Sequence, residues 1–273
     1  MCFGSRLTPT IAPMNFEKLL IEASLKAGEE ILKVYARDFD VETKSDQSPL
    51  TEADKNSHLA IMAYLEKTEF PILSEEGKHM GFSERKDWTK FWLVDPLDGT
   101  KEFVKKNGEF TVNIALIENG APVYGIIYAP VLKKLFVGNV GTEAWVAENV
   151  EVDTSIETIL ENKVSIPKAK PAEPYIVVAS RSHFSPETQE YVDELKQSKG
   201  EIEFASMGSS LKICLVAEGL ADVYPRFGPT MEWDTGAGHA IAKAAGKTII
   251  DHSTGLEMVY NKENLLNNWF IVS

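Results

Sequence analysis

The run Phe91-Trp92-Leu93-Val94-Asp95-Pro96-Leu97-Asp98-Gly99-Thr100 sets the terms for the whole chain. Its four apolar residues, bounded by charges, predict a short strand buried on both faces. The acidic residues fall just past the carboxyl end of that strand, where α/β sheets project side chains into a ligand crevice. Pro96 fixes the backbone after Asp95, and Gly99 permits a tight turn and close approach to a ligand. Asp95, Asp98 and the Leu97 carbonyl can therefore converge on one hard cation, and an all-oxygen set suits Mg2+. The same letters also read as an ordinary turn, because Asp-Pro and Asp-Gly are turn formers.

Working outward, Pro71-Ile72-Leu73 is a second short buried strand, and Glu75 follows it in Leu73-Ser74-Glu75-Glu76-Gly77. Earlier still, Phe16, Leu19, Leu20, Ala23, Ala27, Ile31 and Val34 recur at helical spacing over 15–36, with Asn15 placed as N-cap. A second helix is expected to begin at 48–51. Thr51 and Asp54 form a capping-box variant there, and Leu59, Met62, Ala63 and Leu65 supply the buried stripe. Downstream, Val112, Ile114 and Leu116 alternate with smaller or polar neighbours, and Asn119-Gly120 is a hairpin turn, so 110–146 predicts strands. The polar stretch 148–173, with Pro167 and Pro171, predicts a domain junction or long connection.

Beyond it, helices and strands alternate: a strand over 175–179, helices over 187–196 and 209–217, a strand over 223–227. A small-residue helix runs from Asp234, in Trp233-Asp234-Thr235-Gly236-Ala237-Gly238-His239, to Ala245. The expected division is a disordered lead over 1–14, an α+β half over 15–155 and an α/β half over 156–273. Singly, Glu75 and Asp234 have the plain explanations of a loop carboxylate and a helix cap. Together with Asp95 and Asp98 they form a set that repels itself unless metal neutralises it, and two-metal phosphoester chemistry uses such a set.

The 273 residues hold 28 Lys and Arg against 41 Asp and Glu, a net charge of −13. That balance argues against a nucleic-acid partner, whose binding rests on basic residues. A small anionic substrate remains compatible if something other than net charge holds it. Cys2 and Cys214 make no disulfide framework and no zinc spacing. The first thirteen residues do not pattern as a signal peptide. No run approaches the roughly 18 apolar residues of a membrane helix. A cytoplasmic protein without an integral membrane segment is expected, with peripheral association at the inner membrane face left open, as either monomer or homodimer. His58, His79, His239 and His252 show no metal spacing, and His239 reads as packing or capping.

Glu75-Glu76, Asp95 to Thr100 and Trp233-Asp234, in that order, resemble the signature of the inositol monophosphatase superfamily, the lithium-inhibited Mg2+ phosphatases. The resemblance spans nearly the whole chain from Asn15. Within the superfamily, the chain is most similar to the 3'(2'),5'-bisphosphate nucleotidases of bacterial sulfur assimilation. The similar stretches are 48–54, 95–103, 107–113, 209–212 and 224–230. Inositol-type members usually have Thr-Asn where this chain has Lys101-Glu102. Gly236 stands where Ala is more usual, at a helix cost below about 1 kcal/mol.

The resemblance implies an alternating α-β-α-β-α sandwich of the sugar-phosphatase type. It implies Glu75, Asp95, Asp98, Asp234 and the Leu97 carbonyl as ligands of two or three Mg2+ ions. Thr100 and Asp54 match the pair that positions the attacking water, with Glu75 near it. Gly99, Thr100, His183, Ser209, Lys212 and Arg226 match substrate contacts. The implied reaction is hydrolysis of the 3'-phosphate of adenosine 3',5'-bisphosphate, a small-molecule substrate, extending to its sulfated relative. A broader inositol or sugar-phosphate phosphatase and a silent metal- and nucleotide-binding sensor are the alternatives. The sensor would have no need of the Thr100 and Asp54 pair.

Overall fold

The apolar runs between Pro71 and Val146 pair into one large sheet, and the segments before and after it close over its two faces. The computed structural model describes residues 16–43, 49–179 and 185–273. The first half holds α1 (Phe16–Tyr35), β1 (Val41–Thr43), β2 (Pro49–Thr51), α2 (Glu52–Leu65), β3 (Ile72–Ser74), α3 (Phe82–Arg85), β4 (Lys90–Asp98), α4 (Thr100–Val104), β5 (Thr111–Glu118), β6 (Ala121–Ala129), β7 (Lys134–Asn139) and β8 (Glu143–Glu148). Then follow α5 (Ile156–Glu161), β9 (Val164–Ser165), β10 (Tyr175–Val178), α6 (Pro186–Lys199), β11 (Ile202–Ala205), α7 (Leu211–Glu218), β12 (Tyr224–Arg226), α8 (Glu232–Ala244), β13 (Ile249–Asp251) and β14 (Phe270–Val272).

The large sheet runs in the order β3-β4-β5-β6-β7-β8-β9, with only the β3–β4 pair parallel. Successive side chains on a strand face opposite ways. Trp92, Val94, Ile114 and Ile126 accordingly pack with Leu20, Ile31 and Ile61 of α1 and α2. Phe91, Leu93, Ala115 and Ile127 pack on the other face with Ile213, Ala237 and Ile241 of α7 and α8. A second sheet, β12-β14-β13, lies beyond those helices. The parallel pair β10–β11 joins it through a bridge from Val177 to Val223. Val192 of α6 packs on Val177 and Val223 from outside. The layers thus alternate α-β-α-β-α, as expected.

Two glycines let α8 sit unusually close to the large sheet. A Cβ on Gly125 would stand 2.3 Å from the Ala237 carbonyl, and one on Gly138 would stand 2.4 Å from the Ile241 Cα. Gly236 on the helix itself has the same cause, since a Cβ there would meet Leu93 Cδ2 at 2.8 Å.

Three local expectations are corrected. Residues 49–51 form β2, paired with β1, so α2 begins only at Glu52, with Thr51 as its N-cap. The buried stripe of α2 is Ala53, Asp54, Ser57, Ile61 and Leu65, while Leu59 is 66% exposed. A polar contact turns the helix this way: Ser57 Oγ donates to the Pro96 carbonyl at 2.7 Å. The stretch 148–173 is more than a connection, because it contributes α5 and the edge strand β9, which pairs with β8. The Asn119-Gly120 turn does join β5 to β6, with both residues at positive φ. Asn15 lies outside the described residues.

Candidate active site

Strand register explains why carboxylates three apart on β4 share a face. Asp95 pairs with Asn113 and Asp98 with Thr111, so three steps on β4 oppose two on β5. In a regular strand Asp95 and Asp98 would point to opposite faces, and the extra residue of the bulge restores them to one. Parallel pairing of Ser74 with Val94 brings Glu75 alongside Asp95, and the Glu75 amide donates to the Val94 carbonyl at 3.1 Å. Asp234 comes from the first turn of α8. Asp95, Asp98 and Asp234 each place a carboxylate oxygen within 4.8 Å of the others. Glu75 stands outside that triplet but shares a hydrogen bond with Asp95.

Each member of the triplet is held by protein donors at one oxygen. Asp95 Oδ1 accepts from the Leu97 amide at 3.1 Å, and Asp234 Oδ2 accepts from the Met231 amide at 2.8 Å. Asp98 Oδ2 accepts from the amide and hydroxyl of Ser210 at 2.6 and 2.5 Å. These contacts engage Oδ1 of Asp95 and Oδ2 of Asp98 and Asp234. Burial, then the charges of Glu75, Asp98 and Asp234, hold the Asp95 carboxyl well above its ordinary range. Burial and the neighbouring Asp98 push Asp234 up as well, against the opposing Met231 hydrogen bond.

Asp54 links the end of β2 to the start of α4. Its Oδ2 accepts from the Thr51 amide and hydroxyl, both at 2.7 Å, while Oδ1 accepts from Thr100 Oγ1 at 3.2 Å. The capping box and the Thr100 contact therefore coexist on one side chain. The Leu97 carbonyl lies 3.4 Å from Thr100 Oγ1. Gly99 stands at φ 93°, a left-handed conformation open to glycine, and N-caps α4.

A cleft of about 630 Å3 contains Asp98 and Asp234 together with Gly99, Ser209, Lys212 and Arg226. Lys212 Nζ donates to the Ser209 carbonyl at 2.8 Å, and burial drops its pKa to about 8 although Asp98 opposes the fall. Arg226 donates to the Pro229 carbonyl at 2.9 Å, and its Nε is buried without a partner. Neither cation forms an ion pair among the described residues. Ser209 stands 3.2 Å from Thr111 through its hydroxyl. His183 lies outside the described residues. His239 is buried between Tyr260 and Glu257, and burial lowers its pKa to about 4. It stands outside the carboxylate triplet.

Sequence reasoning missed Ser210, Asn113, Lys101 and Lys105. The two lysines, four apart, line the cleft. Asn113 was visible as a polar residue in an otherwise apolar buried strand, which calls for a partner.

A family model described as the inositol monophosphatase family matches residues 13–269. The chain belongs to the inositol monophosphatase family. It is 47% identical over 252 residues to the 3'(2'),5'-bisphosphate nucleotidase CysQ of Escherichia coli O157:H7, covering 90% of this chain and 95% of that protein. A Haemophilus influenzae protein of the same name is 33% identical across 90% of this chain and 88% of its own length. Among solved structures, CysQ from Bacteroides thetaiotaomicron superposes with a TM-score of 0.86 at 49% identity, covering 97% and 98% of the two chains. An IMPase from Thermotoga maritima shares the fold, with a TM-score of 0.72 at 24% identity over 95% and 92% of the chains. As a member of this inositol monophosphatase family the chain is a phosphatase of a metal-dependent class, and Asp95, Asp98 and Asp234 form an acidic cluster that could hold a metal ion. No helix among the described residues is long and apolar enough to cross a membrane.

Proposed function

We propose that this chain is a Mg2+-dependent nucleotidase that removes the 3'-phosphate of adenosine 3',5'-bisphosphate, giving AMP and inorganic phosphate, with action extending to the sulfated relative. One observation carries the reading: a single cleft joins the Asp98 and Asp234 carboxylates to the cations Lys212 and Arg226. A substrate with two phosphates needs both ends, one to react and one to be held. The names and near-complete coverage of the CysQ relatives support the same assignment.

The donor set fits Mg2+, because it is all oxygen, at least half-buried and self-repelling without a cation. Glu75, Asp95, Asp98, Asp234 and the Leu97 carbonyl are the residues assigned to hold two or three ions. When bound, the ions supply a water of lowered pKa and positive charge opposite the phosphoryl oxygens. Thr100 Oγ1 takes the proton of that water while its own passes to Asp54 Oδ1, along the hydrogen bond at 3.2 Å. Glu75, beside Asp95, would help to hold that water. Gly99 leaves room for the reacting phosphate, and attack is in line, with no covalent enzyme intermediate. Ser209, Lys212 and Arg226 hold the other phosphate, the planar arginine fork giving two-pronged contact. His183 is assigned to the base.

Phosphate release from adenosine 3',5'-bisphosphate and inositol 1-phosphate, measured side by side with Mg2+, tests the reading. The nucleotide is expected to turn over faster; faster turnover of the inositol ester would sink it. Nucleotide binding without phosphate release would make the chain a silent binder instead.

Removing metal should change stability with a definite sign. Asp95 and Asp234 have folded pKa values raised well above the ordinary aspartate value of 3.8. Between the unfolded and folded values the native state binds more protons, so the metal-free protein loses stability as pH rises through that window. A bound divalent cation replaces those protons. Melting midpoints in EDTA should fall as pH rises above the ordinary aspartate range, and added Mg2+ should raise the midpoint more at pH 8 than in acid. A midpoint indifferent to Mg2+ at pH 8 would remove the triplet as a metal site.

Lys212→Ala should raise KM about 10- to 100-fold with little change in kcat, the loss of one charged hydrogen bond worth about 1.5–3 kcal/mol. In the wild type, KM should also climb above pH of about 8, where Lys212 loses its proton, and the variant should lack that climb. An unchanged KM would take Lys212 out of the substrate site.

A further inference from the structure

We infer that Ser210 and Asn113 are positioning residues that couple the end of β4 to the start of α8 and thereby set the spacing of Asp98 and Asp234. The inference rests on the metal-site reading above.

Ser210 lies 112 residues from Asp98 and 24 from Asp234 along the chain, yet it binds both. Its amide donates to Asp98 Oδ2 at 2.6 Å, and its hydroxyl reaches Asp98 Oδ2 at 2.5 Å and the Asp234 carbonyl at 2.8 Å. A hydroxyl carries one proton, so it serves one of those acceptors at a time. Asn113 Nδ2 donates into the Ser210 oxygen at 2.9 Å, occupying a lone pair and leaving the hydroxyl proton to point at the carboxylate or the carbonyl. The second Nδ2 proton faces Asp98 Oδ2 at 3.4 Å. Oδ2 is thereby crowded with donors, and Oδ1 is the oxygen left for a cation.

The cost borne by Asn113 indicates that its donors matter. The residue is 1% exposed on a core strand, and its Oδ1 is buried with no hydrogen-bond partner. A buried orphan acceptor is unfavourable, and an apolar side chain would avoid it. The amide offers two donors aimed at Ser210 and Asp98, which an apolar side chain lacks. The preceding residue contributes too: Ser209 stands at φ 41°, a left-handed turn from which both the amide and the hydroxyl of Ser210 reach Asp98. Partners of ligands, fixing which ligand oxygen faces the ion, commonly govern metal affinity about 10- to 100-fold.

The test uses full-length Ser210→Ala, Asn113→Ala and the double variant, with Mn2+ binding followed by electron paramagnetic resonance in the absence of substrate. Ser210→Ala should weaken Mn2+ binding about 10- to 100-fold. Asn113→Ala should shift it in the same direction, and the double variant should lose less than the sum, because the two share one chain of hydrogen bonds. KM for adenosine 3',5'-bisphosphate at saturating Mg2+ should stay at the wild-type value. Unchanged Mn2+ affinity in either single variant that keeps the wild-type urea midpoint would overturn the inference. A raised KM with unchanged Mn2+ affinity would also overturn it, by making these residues substrate contacts. Because Mn2+ binding is read without substrate, failure of the nucleotidase reading leaves this measurement intact.

Discussion

Asp98→Asn should lower kcat by about 10^3 or more, matching the several kcal/mol of charge stabilisation that a bound cation contributes. The substitution is nearly isosteric, but an amide has one accepting end where the carboxylate has two. If that end meets the Ser210 amide and hydroxyl, which approach Asp98 at 2.6 and 2.5 Å, the NH2 group turns toward Asp95 and Asp234. Donors then stand where a cation needs lone pairs. If the amide flips instead, its NH2 faces the Ser210 amide, and two buried donors oppose each other. Both orientations spoil the metal site, while the loss of one charge from a crowded cluster leaves the metal-free fold intact. Phosphate release across a Mg2+ titration, with Mn2+ binding as the direct readout, checks this. Near-wild-type turnover would refute Asp98 as a ligand.

What could be read from sequence was what is local. Thr51 and Asp54 are three residues apart, and their capping box forms as expected. The run from Phe91 to Thr100 announces a buried strand and a glycine turn, and both are found, but β4 runs on to Asp98, so the two carboxylates lie within the strand and not past its end. The bulge that brings Asp98 to the same face as Asp95 was not legible, because it exists only relative to β5. Ser209 and Ser210 are identical letters. Only the backbone, with Ser209 at φ 41°, shows that Ser210 is the one aimed at Asp98. Leu59 was misread because α2 offers apolar residues on more than one side, and the Ser57 bond to Pro96 decides which side faces in. Gly125 and Gly138 belong to no motif. Their purpose appears only once α8, with Asp234 at its start, is seen pressed on the sheet.

The net charge of −13 and an anionic substrate are reconciled in the same cleft. Asp95 and Asp234, raised by burial and mutual repulsion, mark where the acidic excess is concentrated. Divalent cations bound there, as the proposed function requires, would reverse the local sign. In the same cleft burial lowers the pKa of Lys212 to about 8, and on the proposed function a phosphate there would favour its charged form. On the proposed function, metal and cations would divide the two phosphates between them, and neither would depend on the charge of the protein as a whole.

Asp54→Asn separates proton transfer from metal binding and should lower kcat without the loss of metal affinity expected of Asp98→Asn. Asp54 is 2% exposed and spends both oxygens: Oδ2 on the Thr51 amide and hydroxyl, Oδ1 on Thr100. An asparagine satisfies one of these and presents NH2 to the other. If it keeps the cap, Thr100 loses its acceptor and with it the route for a proton leaving the attacking water. If it keeps Thr100, the neutral amide oxygen still makes a far weaker proton acceptor than the carboxylate. Either way kcat should fall about 10^2- to 10^4-fold, the usual contribution of a positioned general base. The cap loss should cost about 0.5–2 kcal/mol of stability. Mn2+ affinity should hold, since the triplet consists of Asp95, Asp98 and Asp234. Comparing kcat, Mn2+ affinity and urea midpoint in the two variants decides the matter. A loss of Mn2+ affinity in Asp54→Asn would make Asp54 a metal ligand, and an unchanged kcat would leave it a helix cap alone.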